Sequence, residues 1–313
     1  MSSSKTKAPD LSVIIAGVKL RNPVIAASGT FGYGREYEGL LDIAGLGGIC
    51  TKGLTLNPRA GNSGPRIHET PSGMMNSIGL ENPGISAFIE KELPRLKKLG
   101  PAIIANLSGS TTEEYVKGSR LLDASDVDMI ELNISCPNVK AGGMAFGLNP
   151  KTAASITRLV RKAAPKKPIM VKLSPNAPDV TAVGLACVEA GADALSLVNT
   201  FKAIAIDVNN RKLVFENISA GLSGPAIRPI ALRMVFELSE ALSARKSPVP
   251  IVGMGGIACA SDALEFLLAG ALAVQVGSAT FAHPGLMSEV IAGIGEYMSE
   301  RGFSKVRELR IRC

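Results

Sequence analysis

Tryptophan is absent from this chain, aromatic residues make up only 4% of it, and there are two histidines, His68 and His283. So thin an aromatic supply, with the basic residues dispersed rather than gathered in a stripe, argues against a nucleic-acid surface despite a net charge of +7. The positive excess instead serves solubility or attracts anionic ligands. No stretch reaches the ~18 consecutive apolar residues of a membrane span, and the polar start MSSSKTKAPD lacks the apolar segment of a signal peptide. A cytoplasmic protein with no membrane association is expected.

The five cysteines, Cys50, Cys136, Cys187, Cys259 and Cys313, form no C-x-x-C pair. An odd number at irregular spacing excludes a disulfide framework, and no cysteine or histidine cluster offers a metal or iron–sulfur site. Cys50, Cys187 and Cys259 are expected to be small buried hydrophobes. Both histidines read as structural loop residues without a partner nearby in sequence. Also missing are a Pro/Ser/Gly linker, a low-complexity block and a short repeat. With 46% hydrophobic residues among 313, one large core is expected. Residues 1–10 are expected to be a disordered N-terminus, 11–303 a single catalytic domain, and 304–313 a tail of uncertain structure.

What the chain does have is a rhythm. Short apolar runs recur at 23–28, 47–53, 102–108, 129–135, 168–174, 194–200, 250–256 and 273–279. Between them lie stretches with helical spacing, such as TTEEYVKGSRLLD, PDVTAVGLACVEAG and SDALEFLLAG. Continuous apolar strands alternating with helices imply a parallel sheet covered on its faces. Eight such units fit an α/β fold of the (β/α)8 TIM-barrel type, with an open doubly wound sheet as the alternative.

The strand ends read Ser28, Lys52, Asn106, Asn133, Lys172, Asn199, then Gly255 and Gly256, then Gly277 and Ser278. Polar ends are common where a chain leaves a core. Six in succession, followed by two glycine pairs, mark the C-terminal rim of a barrel as a site. GMGGIA at 253–258 has Rossmann-type spacing, but the next strand, AVQVGSA, ends without the acidic residue that a dinucleotide ribose needs. Two glycine-rich ends in a row suit a phosphate held by backbone N–H groups and a helix N-terminus. A mononucleotide is favoured, and flavin mononucleotide (FMN) over a sugar phosphate, because many ring-sized polar contacts remain. Asn76, Asn133, Asn138 and Asn199 each offer a donor and an acceptor, as a cyclic imide or ureide requires. In NSIGLENPG, the N–H groups of Ile78, Gly79 and Leu80 can turn toward a carboxylate.

Taken together, NSIGLENPG, ELNISCPNVKAGG, VKLSPN, SLVNT, GLSGPAI, GMGGI and VGSATF closely resemble the dihydroorotate dehydrogenases, in order from about residue 11 to 300. The cysteine in NISCPNV resembles class 1, since the membrane-bound class 2 enzymes carry serine there. ASGTFGYGREYEG and ELNISCPNVKAGGMAFG look like the class 1B catalytic subunit. The resemblance implies that Ser28, Lys52, Gly53, Asn106, Asn133, Lys172, Val198 and Gly224 hold FMN, with Gly255, Gly256, Gly277 and Ser278 around its phosphate. It implies that Lys52, Asn76, Ser77, Ile78, Gly79, Leu80, Asn133, Asn138, Asn199 and Thr200 hold dihydroorotate. Cys136 would be the catalytic base. The departures are small: PVIAAS where relatives often carry a proline before the alanine, and Gly53 and Ser278 at variable positions.

The implied reaction is oxidation of (S)-dihydroorotate to orotate in de novo pyrimidine (UMP) biosynthesis, by proton removal from C5 and hydride transfer from C6 to FMN. A thiol of ordinary pKa, about 8.5, is only a few per cent thiolate at neutral pH, so activity is expected to rise with pH. No carboxylate stands among the strand ends to compete as base or to repel the substrate. Lys172 can stabilise negative charge developing on the flavin. Gly142, Gly143 and Gly147 would be joints of a loop carrying Cys136, and Pro137 would stiffen the thiol's segment. The chain has no NAD fingerprint of its own. The class 1B resemblance implies a partner subunit with FAD and an iron–sulfur cluster that passes electrons to NAD+, in a heterotetramer built on a homodimer. Alternatives are a class 1A homodimer using fumarate, and a non-redox phosphate-binding lyase or isomerase.

Overall fold

The structure, a computed structural model, describes residues 8–135, 146–245 and 248–311. Eight short strands carry the fold: β1 (Val24–Ala26), β2 (Gly48–Cys50), β3 (Ala102–Leu107) and β4 (Met129–Asn133). They continue as β5 (Ile169–Lys172), β6 (Ala194–Leu197), β7 (Ile251–Met254) and β8 (Ala273–Val276). Each lies inside a segment read from the sequence. Neighbours run parallel in chain order, and β8 closes onto β1 from Val274↔Val24 to Val276↔Ala26. That pairing makes the sheet a (β/α)8 barrel and rules out the open doubly wound alternative.

Nearly every strand residue is buried, because one face meets the lumen and the other meets helices. The outer layer is α1 (Leu93–Leu99), α2 (Thr112–Asp123), α3 (Pro150–Ala163) and α4 (Val180–Glu189). It is completed by α5 (Arg228–Ser243), α6 (Ala260–Leu268) and α7 (Leu286–Arg301). Local chemistry sets several starts. Thr111 accepts from the Glu114 N–H, Asn149 from Lys151 and Asp179 from Ala182, each satisfying an otherwise orphaned donor. Gly100 and Gly302 end α1 and α7 in left-handed conformation, at φ +97° and +74°.

The strand–helix alternation fails once, between β1 and β2. Only the short 3-10 turns Arg35–Tyr37 and Ile43–Gly45 form there. Gly32, Gly34 and Gly39 all take positive φ in that stretch, which no right-handed helix can propagate through.

Two loops at the C-terminal ends of the barrel strands add a small antiparallel sheet absent from the sequence reading. After β2 come Ile67–Thr70 and Gly73–Asn76; after β6 come Phe201–Ala203 and Ala220–Ser223. Gly73–Asn76 pairs with Ala220–Ser223, so the two loops are joined into one rim structure with its own core of Met75, Phe215 and Ala220. His68 therefore lies on a strand rather than in a loop, edge-on to Phe215 at 6.3 Å. His283 has a partner close in sequence, Glu289 Oε1 at 2.7 Å. Cys50 and Cys187 are buried as expected, but Cys259 is exposed, because it occupies the turn before α6 rather than a packed face.

At the opposite end, the turn of the hairpin Val13–Ile15/Val18–Leu20 lies beside the loops entering β4 and β5. Residues 304–311 fold back on the barrel, with Val306 and Leu309 buried and the Ile311 N–H donating to the Leu268 carbonyl. Among the described residues no helix is long and apolar enough to cross a membrane.

Candidate active site

The register sorts inward side chains into levels, to which odd and even strands contribute alternately. Odd strands supply Ile25, Ile104, Met170 and Val252, all apolar and buried. One level nearer the C-terminal rim, even strands supply Cys50, Glu131, Ser196 and Gln275. Three of these even-strand residues have a neighbour above and one below, and Cys50 pairs with Ile104 below it. Glu131 pairs with Asn106 and Met170, Ser196 with Lys172 and Val252, and Gln275 with Met254 and Ile25. Asn106 and Lys172 thus stand directly over the polar level, and Lys52, Asn133, Val198 and Gly277 follow at the mouth.

Glu131 is the hub of the polar level, with no exposed surface at all. Its Oε1 accepts from Ser196 Oγ and Gln275 Nε2, both at 2.8 Å. Its Oε2 accepts from Cys50 Sγ at 3.1 Å and Asn106 Nδ2 at 2.5 Å, with Lys172 Nζ at 3.8 Å. Burial by itself would push this carboxyl up. The Lys172 charge and the donors Cys50, Gln275 and Ser196 reverse the effect and hold it below the usual carboxylate range. Burial and the neighbouring Glu131 anion push the Cys50 thiol well up, so it stays a donor. Among the described residues only Gln275 Oε1 in this level lacks a donor.

Above this floor, amides are linked across strands. Asn133 Nδ2 donates to Asn106 Oδ1 at 3.4 Å, and Asn199 Nδ2 donates to Asn133 Oδ1 at 3.4 Å and to Ser135 Oγ. Ser135 Oγ donates to Asn133 Oδ1 at 2.7 Å, and Tyr115 Oη donates to the Asn133 carbonyl at 2.7 Å. The end of β4 is thereby fixed from both sides. Asn76 comes to the same rim on the inserted sheet, its Nδ2 donating to the Gly221 carbonyl at 3.3 Å. A methyl group on Gly221 would come within 2.2 Å of Thr200 Oγ1, so Thr200 lies against this strand.

The NSIGLENPG segment supplies an anion-binding shape. Gly79 and Leu80 take φ +77° and +57°, and Asn62 fixes the turn by donating to the Ser77 carbonyl and to the Ile78 carbonyl. Among the described residues the N–H groups of Ile78, Gly79 and Leu80 have no acceptor, which suits a ligand carboxylate. Lys52 stands close by, 3.9 Å from Glu81. Arg66 first, and Lys52 after it, hold the Glu81 carboxyl below its ordinary value. Gly53 touches both groups, since a methyl group there would lie 3.1 Å from Leu80 Cδ2 and 3.3 Å from Asn106 Oδ1.

The glycine ends form a second cradle. Gly255 and Gly256 take φ +128° and +78°, and a methyl group on Gly256 would lie 2.6 Å from the Gly224 carbonyl oxygen. Gly224, at φ +101°, packs in turn on Gly73, while Val198 lies against Gly255. At Gly277 a methyl group would make only ordinary contacts, with Ala27 Cβ at 3.5 Å and the Thr30 side chain beyond it, so that strand end is less tightly packed than Gly255 and Gly256. Glycine backbone at two strand ends, next to a lysine and a row of amides, fits a phosphorylated ring cofactor.

Residues 10–298 match the family described as dihydroorotate dehydrogenase. The chain belongs to the dihydroorotate dehydrogenase family. It is 56% identical over 301 residues to a protein of Petrotoga mobilis, covering 96% of this chain and 98% of the relative. It is 54% identical over 302 residues to one of Geotalea daltonii (96% and 97%) and 51% over 300 to one of Thermoanaerobacter pseudethanolicus (96% and 97%). All three relatives are named the catalytic subunit of dihydroorotate dehydrogenase B (NAD+).

Of the positions that resemblance to dihydroorotate dehydrogenases singled out, most converge on the one rim. Lys52, Gly53, Asn106, Asn133, Lys172 and Val198 gather over the polar level. Gly224, Gly255 and Gly256 meet at the glycine cradle, with Gly277 and Ser278 at the neighbouring strand end. Asn76, Ser77, Ile78, Gly79, Leu80, Asn199 and Thr200 line the side formed by the inserted sheet. Ser28 lies close to the floor, its backbone N–H near enough to the Cys50 thiol to act on it electrostatically. Cys136 and Asn138 lie outside the described residues, as do Pro137, Gly142 and Gly143. Gly147 is not a free joint: a methyl group there would lie 2.7 Å from the Ile134 carbonyl oxygen, so its role is close packing on the end of β4.

Reading strand ends alone missed Glu131, Gln275 and Ser196, and missed the donor role of Cys50. The signal was present in MIELN and AVQVG, where an acid and an amide interrupt strands that are otherwise apolar on both faces.

Proposed function

We propose that this chain is the catalytic subunit of an NAD+-linked dihydroorotate dehydrogenase, oxidising (S)-dihydroorotate to orotate in pyrimidine biosynthesis. The observation that carries the reading is the convergence, on one barrel rim, of Lys172 and Asn106 over a polar floor, flanked by the glycine cradle and the amide row. Full-length similarity to relatives named for this activity supports it.

In this reading Lys52, Gly53, Asn106, Asn133, Lys172 and Val198 hold the FMN ring. Gly224, Gly255, Gly256, Gly277 and Ser278 receive its phosphate on backbone amides, and Ser28 closes the bed. Bound FMN supplies the hydride acceptor for C6 of the substrate. The substrate carboxylate sits on the N–H groups of Ile78, Gly79 and Leu80, with the Lys52 charge nearby. Asn76, Asn133, Asn138 and Asn199 pair donors and acceptors with the ring's amide edges, and Ser77 and Thr200 complete that wall. Cys136, adjoining the pinned end of β4 in sequence, takes the C5 proton as general base. Glu131 cannot serve as that base, because it lies beneath the bed with both its oxygens occupied by donors. Electrons then leave through a partner subunit carrying FAD and an iron–sulfur cluster, in a heterotetramer around a homodimer of this chain. The names of the relatives favour NAD+ over fumarate as acceptor, and oxidoreduction over lyase or isomerase chemistry.

The test is bleaching of the purified flavoprotein by dihydroorotate under anaerobic conditions. Wild type should bleach rapidly, and Cys136→Ala should keep its flavin but bleach ~10²–10⁴-fold more slowly, the usual worth of a general base. Undiminished bleaching in the variant removes Cys136 from the role. Turnover of the isolated chain with fumarate would overturn the NAD+-linked assignment.

A further inference from the structure

We propose that Glu131 is a positioning residue whose buried charge holds Lys172 and Asn106 at the floor of the cofactor bed and sets how strongly Lys172 favours electron uptake there. The redox consequence rests on the FMN reading above, whereas the pairing itself rests on geometry alone.

A carboxylate with no exposed surface is expensive to bury, and an aliphatic residue like those one level down would serve packing better. Its hydrogen bonds divide in a telling way. Ser196, Gln275 and Cys50, from its own level, anchor the carboxylate from three other strands. Asn106 and Lys172, which it engages in turn, belong to the level above. The acid is thus fixed by one level and presented to the next.

The Lys172 distance matters most. At 3.8 Å the pair is too long for a hydrogen bond but close enough for strong attraction in a buried setting. Lys172 is 5% exposed, and among the described residues no other carboxylate lies within ion-pair distance of it. Its ammonium is therefore charge-compensated from below while its donors stay available above. Neutralising Glu131 leaves that positive charge uncompensated, which favours added electrons on a ring held over it.

Two measurements on Glu131→Gln test this, one of them without flavin. In flavin-free protein, competitive acetylation read by mass spectrometry should find Lys172 reacting about tenfold faster than in wild type, relative to exposed Lys19, because the amine is released from the ion pair that holds it against the floor. An unchanged relative rate overturns the pairing. With FMN bound, the two-electron midpoint potential should rise by about 30 mV, a tenfold change in the reduction equilibrium. An unchanged potential overturns the tuning. The same substitution made on Lys172→Met should add little, since the effect runs through Lys172; an equal shift in both backgrounds makes Glu131 a bystander. If Glu131→Gln does not fold, Glu131→Asp keeps the charge but withdraws it by one methylene. It should give a smaller change of the same sign in both arms, and no change in either overturns the proposal. A wild-type chain that takes up no FMN refutes the cofactor reading instead, and the acetylation result then decides the pairing by itself.

Discussion

Ile25, Ile104, Met170 and Val252 fill one level of the barrel lumen with aliphatic volume, whereas Cys50, Glu131, Ser196 and Gln275 fill the next with a hydrogen-bonded carboxylate. The two levels are equally buried and are built by alternate strands of one sheet. The lower needs only shape, because dispersion and water exclusion tolerate any well-packed branched side chain. The upper needs each partner in place, because every donor removed leaves a buried charge less compensated. Shape and charge are therefore layered rather than mixed. The apolar level carries the closure of the barrel, and the polar level turns a closed barrel into a floor for charged and amide groups.

Three substitutions and one change of condition probe that division and the rim above it, in falling order of effect. Glu131→Leu, close in volume, should destabilise the protein by about 3–5 kcal/mol in denaturant titration, because it strands Lys172 without its counter-charge. Ile104→Ala one level down should cost about 2–5 kcal/mol through a cavity, yet leave the flavin spectrum and bleaching by dihydroorotate unchanged. A bleaching defect in folded Ile104→Ala would erase the distinction between the levels.

Gly256→Ala tests the rim rather than the lumen. At φ +78°, with its new methyl 2.6 Å from the Gly224 carbonyl oxygen, it should cost about 1–3 kcal/mol and weaken FMN uptake in equilibrium dialysis. Unaltered uptake would detach the glycine cradle from the phosphate.

The smallest effect concerns acid. Burial raises the Glu131 carboxyl, but Lys172, Cys50, Gln275 and Ser196 together hold it below its ordinary value of 4.5. A depressed folded value means that this stabilisation is complete above the unfolded value and is lost as pH falls through the folded one. Melting temperatures should therefore fall more steeply for wild type than for Glu131→Gln as pH drops below that ordinary value. Parallel curves would show that the carboxylate contributes nothing to the pH dependence.

Much of this was legible in the chain. Each barrel strand lies within an apolar run, and the rim residues follow the runs directly, so the local pattern placed Lys52, Asn106, Asn133 and Lys172 without tertiary information. The inserted sheet was not legible, because strands such as Gly73–Asn76 and Ala220–Ser223 are too short for a period and owe their pairing to each other across the rim. Cys259 was misread because burial is a property of where a turn points. Glu131 was missed because its neighbours in sequence are apolar while its partners are not.

Sequence by itself settled the number and order of the barrel strands, the family and the polar rim, since periodicity and local motifs depend on residues close along the chain. Only tertiary structure decided which side chains share a level. Cys50, Ser196 and Gln275 stand 81, 65 and 144 residues from Glu131 in sequence. They meet around one carboxylate because barrel closure fixes the stagger of the strands, and that stagger is a property of the whole ring rather than of any one segment.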